Sequence, residues 1–260
     1  MNTGLLHTTP PPVLKLLSHE LRWQLLTALS FSDLKVQELV SRLGRPQNLV
    51  SYHLQQLRES HLVREHRSQA DARVIYYSLD TDELRRLFAE AGELLHPALS
   101  SYEPDRPAQS AQANTEPARV LFLCTHNSAR SQMAEGLLRH RSSDSVEVFS
   151  AGTEATRVNP RAIRALADMN INIHGQRSKY LNEFLGQDFN YIITVCDRAR
   201  ETCPVFPGDP VQIHWSFPDP DAVEGTEHER AAAFRETALQ LNNRIGLLLL
   251  MINRGSKENP

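Results

Sequence analysis

Cysteine is scarce in this chain of 260 residues and missing from its first 123; the three present are Cys124, Cys196 and Cys203. So odd and sparse a set excludes a disulfide-stapled scaffold and points to catalysis or metal binding in a reducing compartment. Long apolar runs are lacking too. GLLLLMI at 246–252 is the longest, far short of the ~20 residues a membrane helix needs. The opening MNTGLLHTTPPP has neither the basic region nor the apolar core of a secretory signal. A cytoplasmic protein with no membrane association is therefore expected. Neither sign of charge dominates: the net charge of −3 exerts no global pull toward nucleic acid or lipid. What is present, 40% hydrophobic and 23% charged residues, is the composition of a globular protein. The length suits one large domain or two ordinary ones.

The stretch 100–118, SSYEPDRPAQSAQANTEPA, has three prolines and no aliphatic side chain larger than alanine. It has the composition of a linker. The expected division is a domain over 1–99, a linker over 100–118 and a second domain over 119–260. The two halves carry different patterns. Residues 12–29 place Leu14, Leu17, Leu21, Leu25 and Leu29 on one helical face. A short helix follows over 36–43, closed by Gly44, then a third over 45–60. LVREHR and RVIYYSL flank a polar turn at Ser68–Asp71, as in a β-hairpin, and a last helix is expected over 81–96. Beyond the linker, helix and strand signals alternate. Strands are expected at 120–124, 146–152, 191–196 and 212–215, with a long helix at the C-terminal end. That alternation predicts a parallel sheet with helices on both faces.

Helix, tight turn, helix and hairpin make a mainly α winged helix-turn-helix, whose second helix enters the major groove of DNA. Its polar face, with the flanking hairpin, nominates Gln47, Asn48, Ser51, Tyr52, His53, Gln56, Arg67 and Arg73 as DNA contacts. Between 42 and 73, six arginines face three acids, a local excess where a phosphate backbone would run. The stretches SHELRWQLLTALS, KVQELVSRLG, QNLVSYHLQQLRESHLVREHR and ARVIYYSL closely resemble the ArsR-type (arsenical repressor) winged-helix family. The resemblance covers roughly 12–96. It implies a homodimer that releases operator DNA when metal or metalloid binds. Many members sense arsenite through cysteines before the recognition helix, but DLKVQELV has none. The His- and Asp-rich last helix of other members is reduced here to Asp82 and His96. No metal site is expected in this half.

The stretch VLFLCTHNSARSQMAEG (120–136) carries the chemistry. A cysteine follows a buried-strand run, and after five intervening residues Arg130 and Ser131 open a helix. Inward amides of Thr125, His126, Asn127, Ser128, Ala129, Arg130 and Ser131 and the helix dipole would cradle an oxyanion. Arg130 would clamp two of its oxygens. The same field is expected to lower the Cys124 thiol pKa and ready it as a nucleophile. Ser131 would donate to it and Asn127 would brace the loop. Asp219, between prolines, is the candidate general acid.

These elements resemble the low-molecular-weight protein tyrosine phosphatase fold, which implies either phosphate ester hydrolysis or arsenate reduction. Reduction needs two electrons from thiols, and Cys196 and Cys203, seven residues apart, could supply them. Together with VEGTEHERAAAFRETALQLNNRI, the pattern over 118–253 closely resembles the thioredoxin-coupled arsenate reductases. The resemblance implies that Cys124 attacks arsenate while Asp219 protonates the departing hydroxide. Cys196 then displaces arsenite, Cys203 moves the disulfide outward and thioredoxin reduces it; no bound cofactor is implied. His126 stands where several relatives have glycine and either tunes the thiolate or points to solvent, the second being favoured. Asn127, Glu135 and Ser150 match the potassium site of some bacterial relatives, but Lys179 stands where those have an acid, so no metal requirement is expected. Phosphatases of the fold carry an aromatic after the Asp-Pro, and here Asp221 follows.

The leading reading is thus a DNA-binding regulator fused to an arsenate reductase. A low-molecular-weight protein tyrosine phosphatase fused to a DNA-binding module is the alternative. A regulator whose second half senses oxyanions without turnover is the third.

Overall fold

The computed structural model describes residues 9–96, 117–142 and 145–258, folded as two compact units. The linker expected at 100–118 lies outside the described residues except for its last two.

In the first unit the helix expected over 12–29 is two. α1 (Pro12–Leu17) ends at Ser18, and His19, in extended backbone, caps α2 (Glu20–Leu29) by accepting Leu21 N–H through Nδ1 at 3.2 Å. The break rotates α1, so Leu14, expected on the buried face, is exposed. α3 (Val36–Leu43) stops at Gly44, whose φ of +59° is the left-handed conformation of a helix C-terminus. α4 (Gln47–Glu59) is the second helix of the helix-turn-helix; β1 (Val63–Arg67) and β2 (Ile75–Leu79) form the antiparallel wing. α5 (Thr81–Leu95) starts at Asp80, whose carboxylate accepts Glu83 N–H at 3.0 Å. Leu25, Leu29, Leu34, Leu39, Val50, Leu54 and Leu57 fill the core.

In the second unit β3 (Ala118–Cys124), β4 (Val146–Gly152), β5 (Tyr191–Thr194) and β6 (Val211–His214) form a wholly parallel sheet in the order β4-β3-β5-β6. β5 stops before Val195 and Cys196, two residues short of the expected strand. α6 (Arg130–Ser142) packs on β3 and β4; α7 (Pro160–Ala167) and α9 (Glu227–Glu258) pack on α6 and on each other. α8 (Asp197–Glu201), a single turn, lies against β3 and β5. β3 is apolar at every position from Val120 to Leu123 because it is central and covered, as parallel strands are. Its carboxyl end, beside that of β5, is where ligands enter such sheets. Among the described residues no helix is long and apolar enough to cross a membrane.

Candidate functional site

Cys124 is the last residue of β3, and the loop Thr125–Ala129 carries the chain into α6. The loop is pressed against the end of β4, where Cys124 pairs with Gly152. A side chain at 152 would stand 2.6 Å from Thr125 O and 2.7 Å from Asn127 N, so only glycine admits this approach. Asn127 adopts φ +45°, a left-handed conformation that asparagine tolerates better than most residues. Its amide side chain is oriented by its neighbours. Asn127 Oδ1 accepts Lys179 N–H (2.7 Å) and Gln132 Nε2 (2.9 Å), which leaves Nδ2 to donate to Ser131 Oγ (2.9 Å) and Ser150 Oγ (2.8 Å). Ser150 donates onward to Glu135. Ser131 Oγ lies 2.8 Å from Cys124 Sγ, and Asn127 N–H donates to the same sulfur at 3.1 Å. The first-turn amides of α6 have no intrahelical acceptor and stand ready for an oxyanion.

These donors pull the Cys124 thiol pKa down, as does Arg130. They do not win: burial pushes the thiol up, and the nearby Cys196 sulfur adds to it. The expectation of a lowered pKa is therefore corrected; desolvation of a fully enclosed sulfur outweighs its hydrogen bonds.

Arg130 is buried and donates to Phe217 O at 2.8 Å, while its other terminal nitrogen lies 3.2 Å from Asp219 Oδ2. Asp219, partly exposed, caps the short 3-10 turn Pro220–Ala222. Cysteine loop, arginine and acid are thus brought together from opposite ends of the unit. Cys196, in the N-cap position of α8, has its Sγ 3.5 Å from Thr125 Oγ1. Cys203 follows α8, half-buried, with burial pushing its thiol up. All three cysteines are free. His126 is half-exposed with Nε2 3.4 Å from Glu154 Oε2 at the rim.

Glu135, buried, is taken on one oxygen by Arg139 (2.6 Å) and on the other by Lys179 Nζ (3.0 Å) and Ser150. With Asn127 Oδ1 also occupied by two donors, this polar cluster does not fit a monovalent cation. The network at the ends of β5 and β6 was not foreseen. His214 lies between Thr194 Oγ1 (2.8 Å) and Asp197 Oδ1 (3.2 Å), and Ser216 also donates to Asp197. Burial opposes the Asp197 charge, but His214 and Ser216 hold its carboxyl well below the usual range. Gly152, Gln132 and Arg161 also went unnoticed, because their roles come from chain crossings that no local spacing encodes.

On α4, Gln47, Asn48, Ser51 and Tyr52 are exposed, as are Arg67 and Arg73 on the wing. Gln56 is half-buried, accepting from Arg22 and donating to Tyr52. His53 corrects the expectation of a DNA contact: it faces inward, only 4% exposed, its ring centroid 4.3 Å from that of His19. On a helix packed along Val50, Leu54 and Leu57, position 53 falls on the buried stripe.

Comparison with known proteins agrees with both units. Residues 119–258 match the model for low molecular weight phosphotyrosine protein phosphatase, and residues 19–65 that for the bacterial regulatory protein arsR family. An arsenate reductase of Halalkalibacterium halodurans is 40% identical over 126 residues, 48% of this chain and 91% of its own. One from Bacillus subtilis is 37% identical over the same extent. A solved arsenate reductase from Archaeoglobus fulgidus, 30% identical, aligns over 49% of this chain and 98% of its own with a TM-score of 0.39. The chain belongs, through residues 119–258, to the low molecular weight phosphotyrosine protein phosphatase family, and carries ahead of that domain a helix-turn-helix of the arsR family.

Proposed function

We propose that this chain both reduces arsenate to arsenite and binds operator DNA. The observation that carries the first half is the grouping of Cys124, Arg130 and Asp219 around one loop with Cys196 beside it. Arsenate settles on the amides of residues 125–131 and the Arg130 guanidinium, which leaves its resting partners for the anion. Cys124 passes its proton to an oxygen of the bound arsenate, and the sulfur attacks arsenic. An As–S bond forms, an As–O bond breaks and Asp219 protonates the departing hydroxide to water. Cys196 thiolate then attacks Cys124 Sγ. The S–S bond forms as the As–S bond breaks, and its electron pair leaves with arsenic as arsenite, so As(V) becomes As(III). Cys203 attacks Cys196, releasing Cys124 as thiolate, and thioredoxin returns two electrons to the Cys196–Cys203 disulfide. Neither a bound cofactor nor a metal takes part; Lys179 supplies the positive charge beside Glu135.

Operator binding is assigned to Gln47, Asn48, Ser51, Tyr52, Gln56, Arg67 and Arg73, in a homodimer. Exposed Leu14 on α1 and Phe88, Leu94 and Leu95 on α5, helices that pack on each other, support α1 and α5 as its interface. The absence of cysteine from the DNA-binding half supports signalling from the three thiols to the operator.

Arsenate-dependent NADPH oxidation with thioredoxin and thioredoxin reductase tests the first part. Wild type should turn over, and Cys203→Ser should stop after one round. Hydrolysis of an aryl phosphate without arsenate turnover would assign the domain to the phosphatases instead. Operator release that persists when all three cysteines are serine would end the signalling proposal.

A further inference from the structure

The acid and the nucleophile loop must be positioned relative to each other to about 1 Å although they are far apart in sequence. Arg130 joins them inside the pocket. A second side chain joins them outside. The segment leaving β4 runs along the nucleophile loop: Glu154 N–H donates to Thr125 O (2.8 Å), Thr156 N–H to His126 O (3.1 Å) and Asn159 N–H to Ser128 O (2.8 Å). Asn159 then caps α7, its Oδ1 accepting Arg161 N–H at 2.9 Å. Arg161 is thus carried on backbone stitched to the loop. Its guanidinium donates to both Glu227 oxygens, at 3.0 and 2.6 Å, in the first turn of α9. Its third nitrogen lies 3.5 Å from Asp221 Oδ1. Asp221 belongs to the turn that Asp219 caps: Asp221 N–H donates to Asp219 Oδ1 and Ala222 N–H to Asp219 O, each at 3.2 Å.

We propose that Arg161 is a positioning residue for the proton transfer, holding the Asp219 turn in register with the nucleophile loop through Asp221, while Glu227 orients its guanidinium. The proposal rests on Asp219 as the proton donor. The Asp221 carboxylate serves here as the handle for Arg161. Exposed ion pairs add little stability, so the effect is geometric. A proton donor has to lie within hydrogen-bond reach of the leaving oxygen, and misplacement by ~1 Å can cost ~100-fold in rate.

The test is a double-mutant cycle in the full chain. Arg161→Met, Arg161→Lys and wild type are each made with Asp219 and with Asp219→Asn, and arsenite formed in the first turnover is followed by rapid quench. Arg161→Met should slow that step about tenfold without changing the inhibition constant for phosphate. It should have no further effect beside Asp219→Asn, and Arg161→Lys should recover part of the rate. Should wild type form no arsenite, the proposed function fails, and the same cycle is read on aryl phosphate hydrolysis, which needs the same proton. Hydrogen exchange gives a readout without turnover: the Asp221 and Ala222 amides should exchange faster in Arg161→Met, with the loop amides unchanged. An equal loss in the Asp219→Asn background, a weakened phosphate constant or unaltered exchange at Asp221 and Ala222 would each overturn the proposal.

Discussion

Replacing Gly152 by alanine should damage the pocket more than its stability. The added Cβ would meet Thr125 O at 2.6 Å and Asn127 N at 2.7 Å, where ordinary contact begins near 3.4 Å. Both atoms are backbone, so no rotamer change relieves the clash. The loop must retreat by about 0.8 Å, and a displacement approaching 1 Å costs on the order of 100-fold in rate. Asn127 N is the donor to Cys124 Sγ, so the same retreat lengthens the sulfur's hydrogen bond. Overpacking of this kind lowers stability by about 1–3 kcal/mol, which leaves most of the chain folded at room temperature. First-turnover arsenite formation, phosphate binding by calorimetry and thermal unfolding separate the two effects. The expected pattern is about a hundredfold slower turnover with weaker phosphate binding and a modest loss of stability. A variant with wild-type phosphate affinity and rate would show that the loop does not depend on its contact with β4.

Three further outcomes follow from the geometry. Lys179→Met removes one of two cations from buried Glu135 and should cost about 2–3 kcal/mol, short of a fully broken buried pair because Arg139 stays. Urea denaturation followed through Trp215, in a Trp23→Phe background, measures it, and an unmoved midpoint would show that Arg139 suffices. Because burial and then Cys196 raise the Cys124 thiol, alkylation by iodoacetamide in Cys203→Ser should keep rising with pH beyond the range of a free thiol. Removing Cys196 as well should move its midpoint down; a plateau already reached at neutral pH contradicts this. His53 is held below its ordinary 6.5 by burial, then by His19 and Arg22. The unfolded chain therefore takes up that proton first, and the winged helix should lose stability as pH falls from 6.5 through the folded value. Circular dichroism melts of wild type and His53→Leu should diverge in that range, and parallel curves would refute it.

The fold was legible where pattern and environment coincide. VLFLC is apolar without alternation because β3 is covered on both sides, and Gly44 marks a helix end with its own chemistry. Cys124, Arg130 and Ser131 announce themselves by spacing, since a loop between strand and helix brings them together with no help from elsewhere. Arg161 and Gly152 could not be read in this way, because each acts on a segment distant in sequence. His53 is not legible from its polarity, because the helical stripe through Val50, Leu54 and Leu57 decides which side a residue faces. The sign of the Cys124 shift was missed for a related reason: donors are visible in a motif, but the depth at which the sulfur is buried is not.

α8 has five residues and few hydrogen bonds, among them Arg200 N–H to Cys196 O and Thr202 N–H to Arg198 O. A helix this short is scarcely stable by itself. Under the proposed relay it must come apart for Cys203 to reach Cys196, so its folding free energy becomes part of a reduction potential. Each 1.4 kcal/mol that favours the coiled, dithiol form makes the disulfide more oxidising by ~30 mV. Substitutions on the solvent face of α8 would then tune electron transfer without touching a sulfur atom.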